Sequence, residues 1–180
     1  MIPYGLALAA VSMVGHSLGA NRPKEAIENC KLIALTTTSL CLIVAMCLNL
    51  SATPLIQLYT DDPAVISLVE SSYLVFVVSF SFDWMQCCAS GLIKGAGFQG
   101  VGSLCSLLCL GLVALPVSSV LCFQKDWGIE GLWAGYGLST MILTVSYYTI
   151  LTCINWKATA EWAATSEEFS VSGESSEDDV

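Results

Sequence analysis

From Leu32 to Thr60, from Gly95 to Gln124 and from Gly131 to Trp156 no side chain carries a charge. A helix of a soluble domain buries one stripe and interleaves polar residues on the other, which these runs do not do. They fit helices that cross a hydrocarbon core about 30 Å thick, each of which needs about 20 mostly apolar residues. With 55% hydrophobic residues, 12% charged residues and a mean hydropathy of +0.72, the chain as a whole reads as an all-α integral membrane protein.

Five transmembrane helices are predicted. Segment A covers about 1–20 and is closed by LGANRP; segment B covers about 29–59 and ends before TDDP. Segments C, D and E cover about 64–94, 102–123 and 129–156. Asp61 or Asp62 followed by Pro63 is a start signal for segment C. Pro116 falls inside segment D, removes a backbone donor there and is expected to kink it. Together the segments make a transmembrane half-domain over 1–157.

Basic residues in the short loops set the orientation. Arg22, Lys24, Lys31, Lys94 and Lys157 fall on one side of the membrane and Lys125 alone on the other. The A–B loop, the C–D loop and the C-terminus are therefore expected in the cytoplasm, and the start of segment A outside. An odd number of spans that begins outside is what a fragment of a longer bundle would show. MIPYGLALAA lacks a basic n-region and a clear cleavage site, so the first segment is expected to stay in the protein.

After Trp156 the composition changes. Residues 158–180 are rich in Ser and Glu and read as a disordered, acidic, cytoplasmic tail, which carries much of the formal charge of -9. Ser175 and Ser176 stand before Glu177, Asp178 and Asp179 in a pattern an acid-directed kinase would accept, and Asp178-Asp179-Val180 could occupy a C-terminus-binding domain. A simple solvated tail is preferred to both. The nine cysteines include no CxxC pair, and there is one histidine. Cys105 and Cys109 share a helical face but make a poor zinc site alone, so the cysteines are read as small packing residues, with no metal and no cofactor.

One carboxylate interrupts an apolar helix. Asp83, in FVVSFSFDWMQCCASGLIKGAGFQ, lies roughly 28 Å along segment C from Ala64 and about 16 Å from Lys94, near the bilayer midplane. A charge there costs about 2.5 to 3.5 kcal/mol on insertion scales, so Asp83 is expected to face protein or a wet cavity. A carboxylate able to lose and regain a proton suits the exchange of a proton for a cation; a structural aspartate hydrogen-bonded to a neighbouring helix is the alternative. Phe76, Ser79, Phe80, Gln86, Cys87 and Ser90 stand three, four or seven residues from Asp83 and project from the same side. Phe76 and Phe80 are candidates to face a cationic substrate, and Gln86 to orient the carboxylate, although aromatics at helical spacing also serve as ordinary packing. Glu70, near the outer end of the segment, can reach water.

Small residues form a second pattern. Gly15 and Gly19 have GxxxG spacing, Gly91 and Gly95 repeat it, and Gly131, Gly135 and Gly137 cluster at the start of segment E. Such faces let helices pack closely. His16 lies between the first two glycines and is read as a packing residue before a pH sensor.

Several stretches then resemble one family. MIPYGLALAAVSMVGHSLGANRPKEAIENC is similar to the eighth helix and following loop of multidrug and toxic compound extrusion (MATE) transporters, where G-x-x-x-A-x-S-x-x-V-G-N-x-L-G-A-G is typical. FDWMQCCASGLIKGAGFQ resembles the tenth helix, in which an acidic residue precedes a G-x-x-R-G-x-G-x-Q ending. GIEGLWAGYG and LTCINWKA resemble the beginning and end of the twelfth helix, the latter as in the eukaryotic multidrug and toxin extrusion branch. His16 stands where the pattern has asparagine, and Lys94 where it has arginine. The resemblance spans about 1–160 and leaves out the tail.

The resemblance implies two helical lobes related by pseudo-twofold symmetry, and export of organic cations or drugs in exchange for protons or sodium by alternating access. It implies that the chain forms most of the C-terminal lobe, that Asp83 takes part in cation and proton coupling, and that the N-terminal lobe is missing here. The partners implied are membrane lipid, a proton or sodium ion, an organic cation and that missing lobe, with no nucleic acid; the protein is expected to be a multi-pass transporter of the plasma membrane or an internal membrane, not an enzyme. The alternatives are a non-transporting structural or regulatory membrane subunit or truncated remnant, and a lipid-carrier flippase, disfavoured because the helices hold no basic pocket for a pyrophosphate.

Overall fold

A computed structural model describes residues 1–165, which form helices joined by short turns with no strand among them. Seven helices follow in order: α1 (Ile2–Gly19), α2 (Pro23–Leu50), α3 (Ala52–Gln57), α4 (Pro63–Gly95), α5 (Gln99–Gln124), α6 (Gly128–Cys153) and α7 (Trp156–Thr165). Four of them, α1, α2, α4 and α5, are long and apolar enough to cross a membrane. A fifth candidate span joins α6 to α7, a pair bent by 78° at a short break.

The turns follow from residue chemistry. Asn21 takes a left-handed φ of 54° after α1, and the Asn21 and Arg22 N–H groups donate to the Leu18 and Ser17 carbonyls. Gly97, with φ 85°, ends α4 in the same way, as Gly97 and Phe98 donate to Lys94 and Ile93. Both are left-handed caps in which an Asn or Gly closes the last turn. Thus Gly15-x-x-x-Gly19-Ala20-Asn21 and Gly91-x-x-x-Gly95-Ala96-Gly97 end two helices alike. Asp62 starts α4, its Oδ1 accepting the Ala64 N–H at 2.9 Å, with Pro63 in the first turn.

Boundaries differ from expectation where charge or proline misled. Segment B, expected over 29–59, begins at Pro23 because the charged residues after Arg22 form a solvated first turn, and it breaks at Ser51 before the short α3. Around Pro116, where a kink is expected, α5 widens into π turns over Leu108–Ala114 and Val120–Gln124, with ordinary α-helix between them. A π turn accommodates the donor that proline lacks. Residues 158–165, read as the start of a disordered tail, are helical: Asn155 caps α7 through its Oδ1, and Ala160 and Ala163 turn inward, Ala160 fully buried. Ser175, Ser176 and the terminal Asp178-Asp179-Val180 lie outside the described residues.

α4 is the central helix, packed on α1 and α2 on one side and on α6 on the other, with α6 wedged between α4 and α5. The main core joins Val14, Leu18, Ala89, Leu92, Ile93, Leu143 and Tyr147 from α1, α4 and α6. All nine cysteines are free thiols, several of them buried in these contacts.

Glycine makes the two main seams possible. A Cβ on Gly91 would sit 2.8 Å from the Ala7 Cα, and one on Gly95 3.1 Å from the Val11 Cα; Gly15 abuts the Gly95 carbonyl, while Gly19 is half-buried at the end of α1. On the other side of α4, a Cβ on Gly137 would strike Ser79, and where α6 meets α5 one on Gly131 would meet the Leu121 carbonyl carbon at 2.7 Å. The α4–α6 seam is fastened by Ser79 Oγ, which shares its proton between the Trp133 carbonyl across the seam and the Val75 carbonyl of its own helix, each at 2.8 Å; Thr144 Oγ1 donates chiefly to the Thr140 carbonyl at 2.7 Å and approaches the Phe82 carbonyl at 3.2 Å.

Thermal unfolding in detergent checks this packing. Gly91→Ala is expected to lose about 1 to 3 kcal/mol by forcing α1 and α4 apart. Gly5→Ala, where an added Cβ meets nothing within 4 Å, is expected to be neutral or to gain up to about 1 kcal/mol. Ser79→Ala, which removes one bond across the α4–α6 seam, is expected to cost roughly 0.6 to 1.7 kcal/mol.

Candidate functional site

Asp83 lies deep within α4, whose other charged side chains, Glu70 and Lys94, stand more than two turns away in each direction. An isolated carboxylate there requires donors from the protein. Two neutral groups supply them. The Tyr136 hydroxyl, from α6, donates to Asp83 Oδ1 at 2.5 Å, and Gln86 Nε2, one turn along α4, approaches the same oxygen at 3.3 Å. Among the described residues Asp83 forms no salt bridge; the ion pair found there joins Arg22 to Glu25 at 3.4 Å.

The carboxylate borders a cavity of about 470 Å³ between α4, α5 and α6. α4 contributes Phe76, Phe80 and Asp83, α6 contributes Leu132, Trp133 and Tyr136, and α5 contributes Ala114, Leu115 and Ser118. The aromatic rings are interlocked: Trp133 meets Phe76 edge-on with centroids 4.8 Å apart and Tyr136 at 6.2 Å, and Phe76 stacks on Phe80 at 6.0 Å. Ser118 Oγ is turned to the Leu132 carbonyl at 3.1 Å, and among the described residues that line the wall Asp83 is the only acidic or basic side chain. A smaller apolar cavity of about 250 Å³ adjoins it through Phe76 and Trp133 and continues toward Leu68 and Ile129.

Volume and lining are those of a small-molecule site, mostly apolar with one fixed polar group. A carboxylate among aromatic faces and edges suits a cation that carries apolar surface, since the rings attract its charge and its hydrocarbon alike.

The structure thus brings together Asp83, Phe76 and Phe80, as their spacing on one helix implied. Gln86 reaches the carboxylate but does not line the cavity, and Cys87 and Ser90 lie further along α4 away from it. Ser79 belongs to the α4–α6 seam. Glu70 is exposed and accepts a bond from Thr53 Oγ1 at 3.0 Å, and His16 is exposed at the end of α1. Sequence reasoning missed Trp133, Tyr136 and Ser118, which come from other helices. The signal for two of them was present in GIEGLWAGYG, where aromatics three residues apart stand among packing glycines.

Comparison with known proteins agrees with this geometry. The sequence model of the MatE family matches residues 1–120. The chain is 29% identical to multidrug and toxin extrusion protein 1 of Mus musculus over 164 residues, which cover 91% of the chain and 29% of that protein. It is 28% identical to multidrug and toxin extrusion protein 1 of Homo sapiens over 163 residues, covering 91% of the chain and 29% of that protein. In three dimensions it is similar to the crystal structure of the eukaryotic MATE transporter AtDTX14, with a TM-score of 0.84 and 27% identity over 91% of the chain and 37% of that structure's chain. The chain therefore spans about 29% of the length of these curated relatives. With its family match over two thirds of its residues and its helices superposing on a solved member, the chain belongs to the MatE family of multi-pass membrane transporters.

Proposed function

We propose that the chain forms most of the C-terminal lobe of an exporter of organic cations driven by an opposing proton or sodium gradient, with Asp83 as the residue that holds the coupling ion and the cargo in turn. The observation that carries this reading is the placement of one carboxylate, bonded to neutral donors among the described residues, on the wall of an aromatic cavity between apolar helices. Such a carboxylate is expensive as a bare charge and is relieved by a proton, a metal cation or an organic cation. Because one negative group serves all three, binding one displaces another, and that competition is what exchange transport requires.

A facing N-terminal lobe closes the open side of the site and allows alternating access, in which the lobes rock around a fixed binding position. Arg22, Lys24 and Lys31 around the start of α2, Lys94 in the last turn of α4 and Lys157 in α7 support a cytoplasmic location for those ends and for the C-terminus. Phe76 and Phe80 face the cargo, and Gln86 orients the carboxylate from outside the cavity. The glycine seams hold α1, α4 and α6 as one body, so that α4 carries its site through the movement without repacking.

A second reading follows from those same seams. Gly91, Gly95 and Gly137 bring backbones into contact regardless of any cargo, as they would in a non-transporting structural or regulatory membrane subunit. A flippase of lipid-linked pyrophosphates is disfavoured, because the described residues that line the cavity include no lysine or arginine.

Vesicles containing the chain assembled with an N-terminal lobe from a family member test these readings. A fluorescent organic cation is expected to accumulate against an imposed proton or sodium gradient, and Asp83→Asn is expected to reduce uptake to that of empty vesicles. Phe76→Ala and Phe80→Ala are each expected to raise the KM for the cation roughly 2- to 30-fold. Uptake that is unchanged by Asp83→Asn rejects the coupling role, and no uptake with any lobe favours the non-transporting subunit.

A further inference from the structure

Two polar contacts between α4 and α6 bracket Tyr136 of α6. Ser79 Oγ, which also bonds the Val75 carbonyl of its own helix, reaches the Trp133 carbonyl at 2.8 Å one turn before Asp83, and Thr144 Oγ1, bonded chiefly to Thr140, approaches the Phe82 carbonyl at 3.2 Å. Between them Gly137 lets the α6 backbone close on Ser79. The phenol ring is further fixed by its edge contact with Trp133. The hydroxyl thus arrives at Asp83 by construction of the seam and ends on Oδ1, the oxygen that Gln86 also approaches. Oδ2 receives no hydrogen bond among the described residues.

We infer that Tyr136 is a positioning residue for Asp83: it pins Oδ1 to α6, leaves Oδ2 as the oxygen offered to the incoming ion, and supports the ionised carboxylate between proton release and cation capture. The inference rests on the exchange role proposed above for its use in transport. The pinning itself does not depend on that role.

The other groups around the site do not perform this task. α5 presents Ala114, Leu115 and Ser118, none of which titrates. On α4 the titratable neighbour is Cys87, four residues along, which also lies within electrostatic reach of Lys94. On the far side of α4, Trp84 packs with Cys88 and with Cys41 of α2, and the Cys88 thiol faces the Pro3 carbonyl of α1. Tyr136 is the group from a second helix that donates directly to the carboxylate. A hydroxyl that donates to a carboxylate steadies its ionised form, and Tyr136→Phe removes that donor while keeping the ring.

The test uses the whole chain in detergent and a hydrophobic carbodiimide, which modifies protonated carboxyl groups in apolar surroundings; mass spectrometry reads the fraction of Asp83 modified at each pH. Tyr136→Phe keeps the ring and is expected to give a profile different from the parent's, with a larger fraction of Asp83 modified at a given pH. Ser79→Ala, which weakens the same seam but leaves the hydroxyl, controls for general loosening and is expected to move it less. A Tyr136→Phe profile identical to the parent's, or a shift no larger than that of Ser79→Ala, overturns the inference. This outcome is separate from the transport reading: uptake insensitive to Asp83→Asn would sink the exchange role and leave the carboxyl profile as it stands. In vesicles with a facing lobe, Tyr136→Phe is expected to move the pH optimum of uptake in the same direction with kcat less affected than KM, whereas a purely structural role would lower the amount of active protein without moving the optimum.

Discussion

A carboxylate on a membrane-spanning helix must be answered from another helix, and in this protein the answer is the hydrogen bond from Tyr136 to Asp83. Without such a partner, the cost of a charge at mid-membrane, about 2.5 to 3.5 kcal/mol on insertion scales, would weigh against the folded bundle. The bond is short because the α4–α6 seam is close. That closeness in turn depends on Gly137 opposite Ser79, and on the serine and threonine hydroxyls that take carbonyls across the seam. Chemistry and packing are therefore one arrangement: the residues that let the helices touch also deliver the donor to the acid.

The other seam serves a different purpose. Gly91 and Gly95 press α4 onto the backbone of α1, and the matching left-handed caps after Gly19 and Gly95 bring both helices to an end in the same fashion. Between hydrocarbon tails that are as apolar as the side chains, such contact is what holds helices together. α4 is thereby clamped on two sides, with its third face open to the cavity. On that face the short α-helical stretch of α5 between its two π segments supplies Leu115 and Ser118, so the irregular backbone near Pro116 forms part of the wall.

Much of this was legible in the sequence because a single helix carries its own geometry. Spacing alone placed Phe76 and Phe80 on the side of Asp83, and Gln86 within reach of it; the apolar runs gave the spanning segments, and the order of glycine-rich motifs gave the family. What sequence could not supply was the partner across a seam. Tyr136 and Trp133 share no periodicity with α4, and their alignment with Asp83 depends on the register that Gly137 and Ser79 impose. Local signals failed for physical reasons too. Polar residues after Pro23 concealed a helical turn because a helix end outside the membrane can be charged. Ala160 and Ala163 gave α7 a small buried face that a search for large apolar residues overlooks.

The central claim is that one carboxylate is given to the proton and the organic cation in turn, and binding stoichiometry tests it without any gradient. The chain, assembled with a facing lobe in acidic, weakly buffered detergent solution, is titrated with an organic cation while the released protons are measured. The account predicts a proton set free for each cation bound, with the release abolished in Asp83→Asn. Cation binding without proton release, or the same release from Asp83→Asn, would contradict it.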